Sequence, residues 1–354
     1  MDPIAFARAL IDVDSTTGRE RQVGELLEES LRAPAAAHGG TLERMPVAGD
    51  RFNLFAAWGE PVIVLSTHID TVPPFFPSSE DAEHLYGRGA CDTKGGIAAM
   101  LGAIDALLAE GRRGFGILLV VGEETDSLGA QAANEQPRGA RFLINGEPTE
   151  NRLAVGSKGM LYLELEAEGR AAHSAYPELG ESAIDRLLAA LARLRAVPLP
   201  VDPVLGETTL NIGTIAGGRA ANVIADRARA EVTLRTVGPT GDLEMALRAA
   251  VAADPAVRLA TWRETRAIHL RALPGFTTSV VKYTTDIPRL TNWGEPFLLG
   301  PGSIHVAHTP HERIAKAEIL EAVLLYRRLV EMLLDGKGEG AGVEFVGRAE
   351  PPSS

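Results

Sequence analysis

Short, wholly apolar runs punctuate the first 150 residues, the clearest at 62–65, 117–121 and 142–144, with amphipathic stretches between them. Strands covered on both faces by helices read as unbroken apolar runs, so this alternation predicts an α/β domain with a mostly parallel, doubly wound sheet. Thr17 and Glu20 have the spacing of a capping box, and the stretch RQVGELLEESLRA that follows places Val23, Leu26, Leu27 and Leu31 on one helical face. A surface helix packed on the sheet is expected there.

The periodicity changes near Lys158. In KGMLYLELEAEG, Leu161, Leu163, Leu165 and Ala167 alternate with Tyr162, Glu164, Glu166 and Glu168, the signature of an antiparallel strand with one wet face. A helix in SAIDRLLAALARLRAV, strands in TTLNIGTIA and RARAEVTLRTV, a helix in GDLEMALRAAVAA and a strand in VRLATWRETRAI complete the order β-α-β-β-α-β. That order predicts a ferredoxin-like module, residues 159–269, inserted into a catalytic domain formed by residues 1–158 and 270–354. Beyond it, PFLLG reads as a returning strand of the first sheet. Thr309, Pro310 and Glu312 match an N-cap, an N1 proline and an N3 acid, which predicts a helix starting just after His308. KAEILEAVLLYRRLVEMLL is the final amphipathic helix, and the tail from Gly336 is expected to be mobile at its end.

With 354 residues, 45% of them hydrophobic, the chain can bury a core in more than one domain. It has no apolar run of membrane-spanning length and carries acids where a signal peptide needs positive charge, so a soluble cytoplasmic protein is expected. A net charge of -12 argues against nucleic acid or an anionic membrane as partner and favours a small-molecule substrate. The single cysteine, Cys91, rules out an internal disulfide and is expected to pack as a small hydrophobe beside Asp92.

Candidate chemistry changes the picture. His68, Asp92, Glu124, Glu147 and His308 each fall where a short apolar run has just ended, and the carboxyl ends of parallel strands face one crevice. Any one of them alone reads as a cap or loop residue. Together, two imidazoles and three carboxylates suit a pair of zinc ions, because a shared carboxylate can bridge both while acids gathered without a cation would repel one another. This points to a metal-assisted hydrolase. The glycines of YGRGACDTKGG lack the Gly-Lys-Ser/Thr order of a phosphate loop, and no Ser-His-Asp motif accompanies Ser174 or Ser303, so nucleotide binding and serine catalysis are set aside.

The succession STHIDTVP, GRGACDTKGG, VVGEETDS, LINGEPTE and GPGSIHVAHTPHE resembles the M20 family of co-catalytic zinc metallohydrolases, from about residue 60 to the helix after His308. The resemblance implies two divalent metal ions per chain, zinc with cobalt as the alternative. It makes His68 and Glu147 ligands of one metal each or of the pair's two sides, with Asp92 bridging and Glu124 and His308 completing the second site. Asp70 would accept the other ring N–H of His68. Glu123 would be the general base, taking a proton during water attack and delivering it to the leaving amine. His173 would reach a partner subunit's site to stabilise the tetrahedral oxyanion, which implies a homodimer. Asn222 and Arg235 would hold the substrate carboxylate, while Gly300 and Gly302 allow a tight turn beside bound substrate. His84, His305 and His311 receive no role. The CDTKGG and GEPT forms lead to a specific expectation: a dizinc amidohydrolase removing an acetyl or succinyl group from an N-acyl amino acid, like acetylornithine deacetylase of arginine biosynthesis. The alternative is a metallo-carboxypeptidase or dipeptidase on the same scaffold. An inactive binding relative should have lost a ligand or the base, and this chain retains both.

Overall fold

The computed structural model describes residues 1–337; the expected mobile tail concerns residues 338–354, which lie outside the described residues. Contacts divide the chain into two compact units, one formed by residues 1–155, 270–279 and 285–354 and the other by residues 156–269 and 280–284. Five strands of the main sheet precede the second unit: β1 (Thr41–Ala48), β2 (Arg51–Trp58), β3 (Ile63–His68), β4 (Phe115–Val120) and β5 (Phe142–Asn145). The second unit contributes β6 (Gly159–Glu168), β7 (Thr209–Gly217), β8 (Arg227–Thr236) and β9 (Val257–Thr265), and β10 (Glu295–Leu298) returns to the first. The helices are α1 (Pro3–Ile11), α2 (Arg21–Ala37), α3 (Gly95–Ala109), α4 (Leu128–Asn134), α5 (Ala183–Ala196), α6 (Gly241–Ala252) and α7 (Lys316–Leu334).

In the first unit the apolar runs become the middle of a six-stranded sheet of order β1-β2-β4-β3-β5-β10. β4, β3, β5 and β10 are mutually parallel, and the β1-β2 hairpin is added antiparallel along the edge of β4. Successive side chains on a strand point to opposite faces, and here both faces are dry. Ile63, Leu65, Ile117, Leu119, Ile144 and Phe297 join residues of α1, α2, α3 and α7 in one core, whereas Val64, Leu118, Val120 and Leu143 pack with Ala130 and Ala133 of α4 and with Trp293. The sheet is thus covered on both sides, but unequally. α3 is buried along most of its length, and its neighbours approach closely at its centre: a Cβ on Gly102 would lie 3.0 Å from Val323 and 3.1 Å from Pro3.

The register sets the functional loops level with one another. His68, the last residue of β3, is opposite Val120, the last of β4, and Ser66 is opposite Asn145, the last of β5. The three following loops therefore leave the sheet at one edge, the crevice position expected of an open α/β sheet.

Two local expectations fail at helix starts. The capping box at Thr17 and Glu20 does not form, because stronger partners take both side chains. Thr17 Oγ1 donates to Asp70 Oδ2 at 2.7 Å, and buried Glu20 accepts from Gly18 N at 2.9 Å and from Arg51 at 2.6 Å. The helix expected directly after His308 is also absent: residues 313–315 pair as a short strand with His84–Tyr86, and α7 begins only at Lys316.

In the second unit the chain runs β6-α5-β7-β8-α6-β9, and its antiparallel sheet has the order β7-β8-β6-β9. Leu161, Leu163 and Leu165 of β6 pack with Leu187, Leu191 and Leu194 of α5 and with Leu247 and Val251 of α6. Alternation along β6 leaves Tyr162, Glu164 and Glu166 half-buried on the opposite face, where the Arg263 guanidinium lies 4.8 Å from the Tyr162 ring centre. Among the described residues no helix is long and apolar enough to cross a membrane.

Core and surface leucines should separate cleanly in a thermal melt. Leu119→Ala, at a position with no exposure, is expected to cost about 2–5 kcal/mol. Leu320→Ala, on the exposed side of α7, should stay within about 0.5 kcal/mol of the parent.

Candidate metal centre

His68 is buried, and its two ring nitrogens face different tasks. Nδ1 lies 3.0 Å from the backbone oxygen of Asp70, so the tautomer with a proton on Nδ1 donates there and leaves the Nε2 lone pair free. Nε2 is 3.1 Å from Asp92 Oδ1 and 4.0 Å from Glu147 Oε2. The other oxygen of Asp92, Oδ2, lies 3.3 Å from His308 Nε2, which is in turn 3.0 Å from Glu124 Oε2. Two groups result, His68–Asp92–Glu147 and Asp92–Glu124–His308, each with ligand atoms within 4.8 Å of one another and with Asp92 common to both.

The donor set fits a pair of divalent cations. It offers one imidazole and one unshared carboxylate on each side, and one carboxylate turned so that each oxygen serves a different side. Glu147 supports the fit: it is buried, and its Oε1 has no hydrogen-bond partner. Such a carboxylate is costly unless it meets a positive charge.

The electrostatics of the metal-free protein lead to the same conclusion. Burial pushes the Glu147 and Glu123 carboxyls well above the usual range, with neighbouring acids adding to the shift and His68 opposing it. Glu124 is raised by burial too, although its hydrogen bond from His308 works against this. Asp92 goes the other way: burial would raise it, but hydrogen bonds from His308 and His68 hold it below the usual carboxylate range. The His308 imidazole is pushed up to about 10 by its bonds to Asp92 and Glu124. Protons thus stand in for cations.

Asp70 faces the Nδ1 side of His68 and has a further part beyond the one expected. Its backbone carbonyl is the closer partner of His68 Nδ1, with carboxylate Oδ1 at 3.5 Å. The carboxylate also accepts from the backbone N–H groups of Gly122, Glu123 and Glu124 at 2.9, 3.1 and 3.2 Å, and from Thr17 Oγ1. Those are the residues of the loop after β4 that carry Glu123 and Glu124. Half-buried Glu123 therefore shares a backbone anchor with Glu124 while its side chain stays outside both ligand groups.

Asp92 and His308 do not sit at strand ends. Asp92 lies in the irregular turn Ala90–Lys94 that leads into α3. His308 has φ 62° in the loop after β10, and Thr309, expected as an N-cap, donates to Val306 O at 2.7 Å instead. Cys91 is buried, with Sγ 3.3 Å from Ser303 O. At Gly302 (φ 85°) a Cβ would come within 2.6 Å of that sulfur, so glycine is required there by close packing.

His173, Asn222 and Arg235 belong to the second unit. His173 is exposed, and its Nδ1 accepts from Ala175 N at 3.1 Å, which leaves Nε2 to carry the proton of the neutral ring. Asn222 is exposed beside it, its backbone oxygen accepting from Ser174 N at 2.9 Å. Arg235 is on β8, with a buried Nη1 that has no hydrogen-bond partner, and burial lowers its pKa. One acid near the first-unit site escaped the sequence reading. Asp286 is buried, its pKa raised to about 6 by burial with Asp70 adding, and its charge is felt by Glu123 and Glu147. TTDIPRL reads as a turn, and nothing in its pattern marks the acid as buried.

Comparison with known proteins identifies the family of the chain. The model of peptidase family M20/M25/M40 matches residues 64–332. A protein of Aspergillus clavatus named "Probable carboxypeptidase" is 39% identical over 377 residues, covering 94% of this chain and 82% of its own. Among solved structures, the M20 family metallo-carboxypeptidase Sso-CP2 from Sulfolobus solfataricus superposes with a TM-score of 0.73 at 14% identity, covering 94% of this chain and 99% of that one. The YXEP protein of Bacillus subtilis, described as a dinuclear metal binding peptidase of the M20 family, gives a TM-score of 0.66 at 15% identity, covering 94% and 98%.

Because His308 holds a proton up to about pH 10 in the metal-free protein, a metal entering the site must displace it. Calorimetric titration of the apoprotein with zinc, in buffers of different ionisation enthalpy, should show at least one proton released per chain near pH 7. Apparent affinity should rise about tenfold per pH unit for each proton displaced, levelling off as pH passes the His308 value. A pH-independent affinity would mean that His308 is not a ligand.

Proposed function

The chain belongs to peptidase family M20/M25/M40 and is a metal-dependent hydrolase of amide bonds, and from that premise we propose a two-metal carboxypeptidase or dipeptidase that cleaves small peptides bearing a free α-carboxylate. The observation that carries the reading is the position of Asp92, one carboxylate oriented toward two separate imidazole and carboxylate groups. The relatives favour this reading over the narrower expectation of an acetylornithine deacetylase. The curated relatives that cover most of this chain are named probable carboxypeptidases, which supports the alternative on the same scaffold and gives no support to a deacetylase or to arginine biosynthesis.

Divalent cations, with zinc proposed and cobalt as the alternative, would supply polarisation of the scissile carbonyl and an attacking water of lowered pKa. His68, Asp92, Glu147, Glu124 and His308 would hold them. Glu123 takes a proton from the water as it attacks and returns it to the nitrogen of the leaving amine. Burial raises its carboxyl above the usual range in the metal-free protein, which strengthens the carboxylate as a base for the first step. Asp70 fixes the backbone of that base through three N–H bonds.

We assign the second unit as a ferredoxin-like lid and dimerisation module supplying the substrate contacts. Arg235, whose buried Nη1 lacks a partner, and Asn222 would hold the substrate's carboxylate, fixing the amide relative to the base. The Nε2–H of exposed His173 would donate to the developing oxyanion in a partner subunit of a homodimer. Gly302 would border the bound substrate.

Glu123→Ala should retain both metals by elemental analysis and lose at least 10²- to 10⁴-fold in kcat, the usual contribution of a general base. Unchanged turnover would remove Glu123 from the mechanism. A panel of dipeptides, short peptides and N-acetyl or N-succinyl amino acids tests the substrate class. Peptides should be cleaved with the higher kcat/KM, and their C-terminal carboxamides should react poorly. If N-acetylornithine or a succinyl amino acid outruns every peptide, the carboxypeptidase reading falls and the metallohydrolase reading stands. Mixing His173→Ala chains with Glu123→Ala chains should restore activity once subunits exchange, because each hybrid dimer would contain one complete site.

A further inference from the structure

We propose that the buried Arg88–Glu312 pair is a positioning device for the shared carboxylate, in which Glu312 holds the backbone of Cys91 and Asp92 so that Asp92 lies between the two imidazoles. Glu312 and Arg88 are 1% and 2% exposed, and Glu312 Oε2 accepts from Arg88 Nη1 at 2.5 Å. The remaining oxygen, Oε1, accepts from Cys91 N and Asp92 N, both at 3.2 Å. Arg88 is itself fixed: Nε donates to Pro74 O at 3.2 Å, and the guanidinium lies 5.0 Å from the Phe76 ring centre.

Packing alone does not account for the pair. A buried ion pair is often replaced by apolar side chains of similar volume without loss of stability, because desolvation of the charges is costly. An apolar side chain cannot accept two N–H bonds from a turn in which the helix ladder is broken. Asp92 departs from helical geometry, with φ -120° and ψ 87°, so its N–H needs a partner from outside the turn. Glu312 provides one from 220 residues away.

The position of Glu312 joins two otherwise separate loops. It follows His308 by four residues, and Arg88 precedes Asp92 by four. The backbone reinforces the joint, with Gly87 N donating to Glu312 O at 3.1 Å. The 3.3 Å approach of His308 Nε2 to Asp92 Oδ2 is therefore set where the two loops are tied. Arg88 also neutralises a carboxylate that would otherwise stand uncompensated beside Asp92.

The inference rests on the reading of the pocket as a two-metal site, and the test separates the two. Zinc binding is measured by calorimetry and by elemental analysis after dialysis, on the parent and on two double variants. R88M/E312Q and R88M/E312M both remove the buried charges, but only the first keeps an oxygen for the two N–H groups. R88M/E312Q should bind two zinc ions within about threefold of the parent. R88M/E312M should bind at least one of them about 10- to 100-fold more weakly, the usual effect of losing a partner that orients a ligand. Thermal melts of the apoproteins establish that each variant is folded. Equal isotherms for the two doubles overturn the positioning role. If neither double folds, Glu312→Gln alone decides: affinity within threefold supports the proposal, and a tenfold loss overturns it. Absence of zinc uptake by the parent would instead overturn the two-metal reading.

Discussion

The burial of several acids close together is the constraint around which this structure is arranged. Asp92, Glu123, Glu124 and Glu147 lie close enough to shift one another's titration, with little solvent to screen them. Only Asp92 of these is held below the usual carboxylate range, because it alone is flanked by both imidazoles. The others are pushed toward neutrality by burial, so the metal-free site is a store of protons that cations would displace. A fold that gathers these groups needs supporting interactions that do not add further negative charge. The two nearest supporting carboxylates meet that need differently. Asp70 is held below the usual range, against the effect of burial, by His68, Thr17 and backbone N–H groups, and Glu312 faces Arg88.

Those two carboxylates also divide the labour of assembly. Asp70 gathers the loop after β4 onto the end of β3, setting Glu123 and Glu124 relative to His68. Glu312 gathers the turn before α3 onto the loop after β10, setting Asp92 relative to His308. Each spans elements brought together by the parallel sheet and by the packing of α3 on α7, and each uses backbone N–H groups as its attachment points. Backbone attachment leaves the ligand side chains free for the metal. It also makes the site depend on loop backbone geometry more than on side-chain packing.

The parts of this arrangement legible in the sequence are those written in periodicity or in local motifs. Strands β3, β4 and β5 were visible as apolar runs because both sheet faces are dry, and the β6 alternation was visible because one face of the second sheet is not. The five candidate ligands stood out by residue type and order. The failures share a cause: a side chain read by its neighbours in sequence was claimed by a partner distant in sequence. Thr17 and Glu20 have capping-box spacing but bond to Asp70 and Arg51. Thr309, Pro310 and Glu312 have the spacing of a helix start, but Glu312 is taken by Arg88 and the following residues by a strand. Asp286 carries no periodic signal at all, since its burial arises from tertiary packing around a turn.

The same division explains why chemistry was easier to read than substrate. Deacylation and peptide cleavage are both hydrolysis of an amide, so they make the same chemical demand on a metal centre. Local forms such as CDTKGG or GEPT surround Asp92 and Glu147 in the metal centre and do not report on the acyl side of the amide. What distinguishes an acetyl group from a peptidyl group must be contacts to the part of the substrate that differs. The candidates proposed in the second unit, Arg235 and Asn222, would address a carboxylate that both substrate classes possess. Discrimination then falls to the half-buried and exposed side chains around the substrate, where a few contacts decide kcat/KM ratios without altering any ligand of the metal. Similarity along nearly the whole chain samples those positions as well as the ligands. For that reason the carboxypeptidase relatives weigh more on substrate class than any motif within the metal centre.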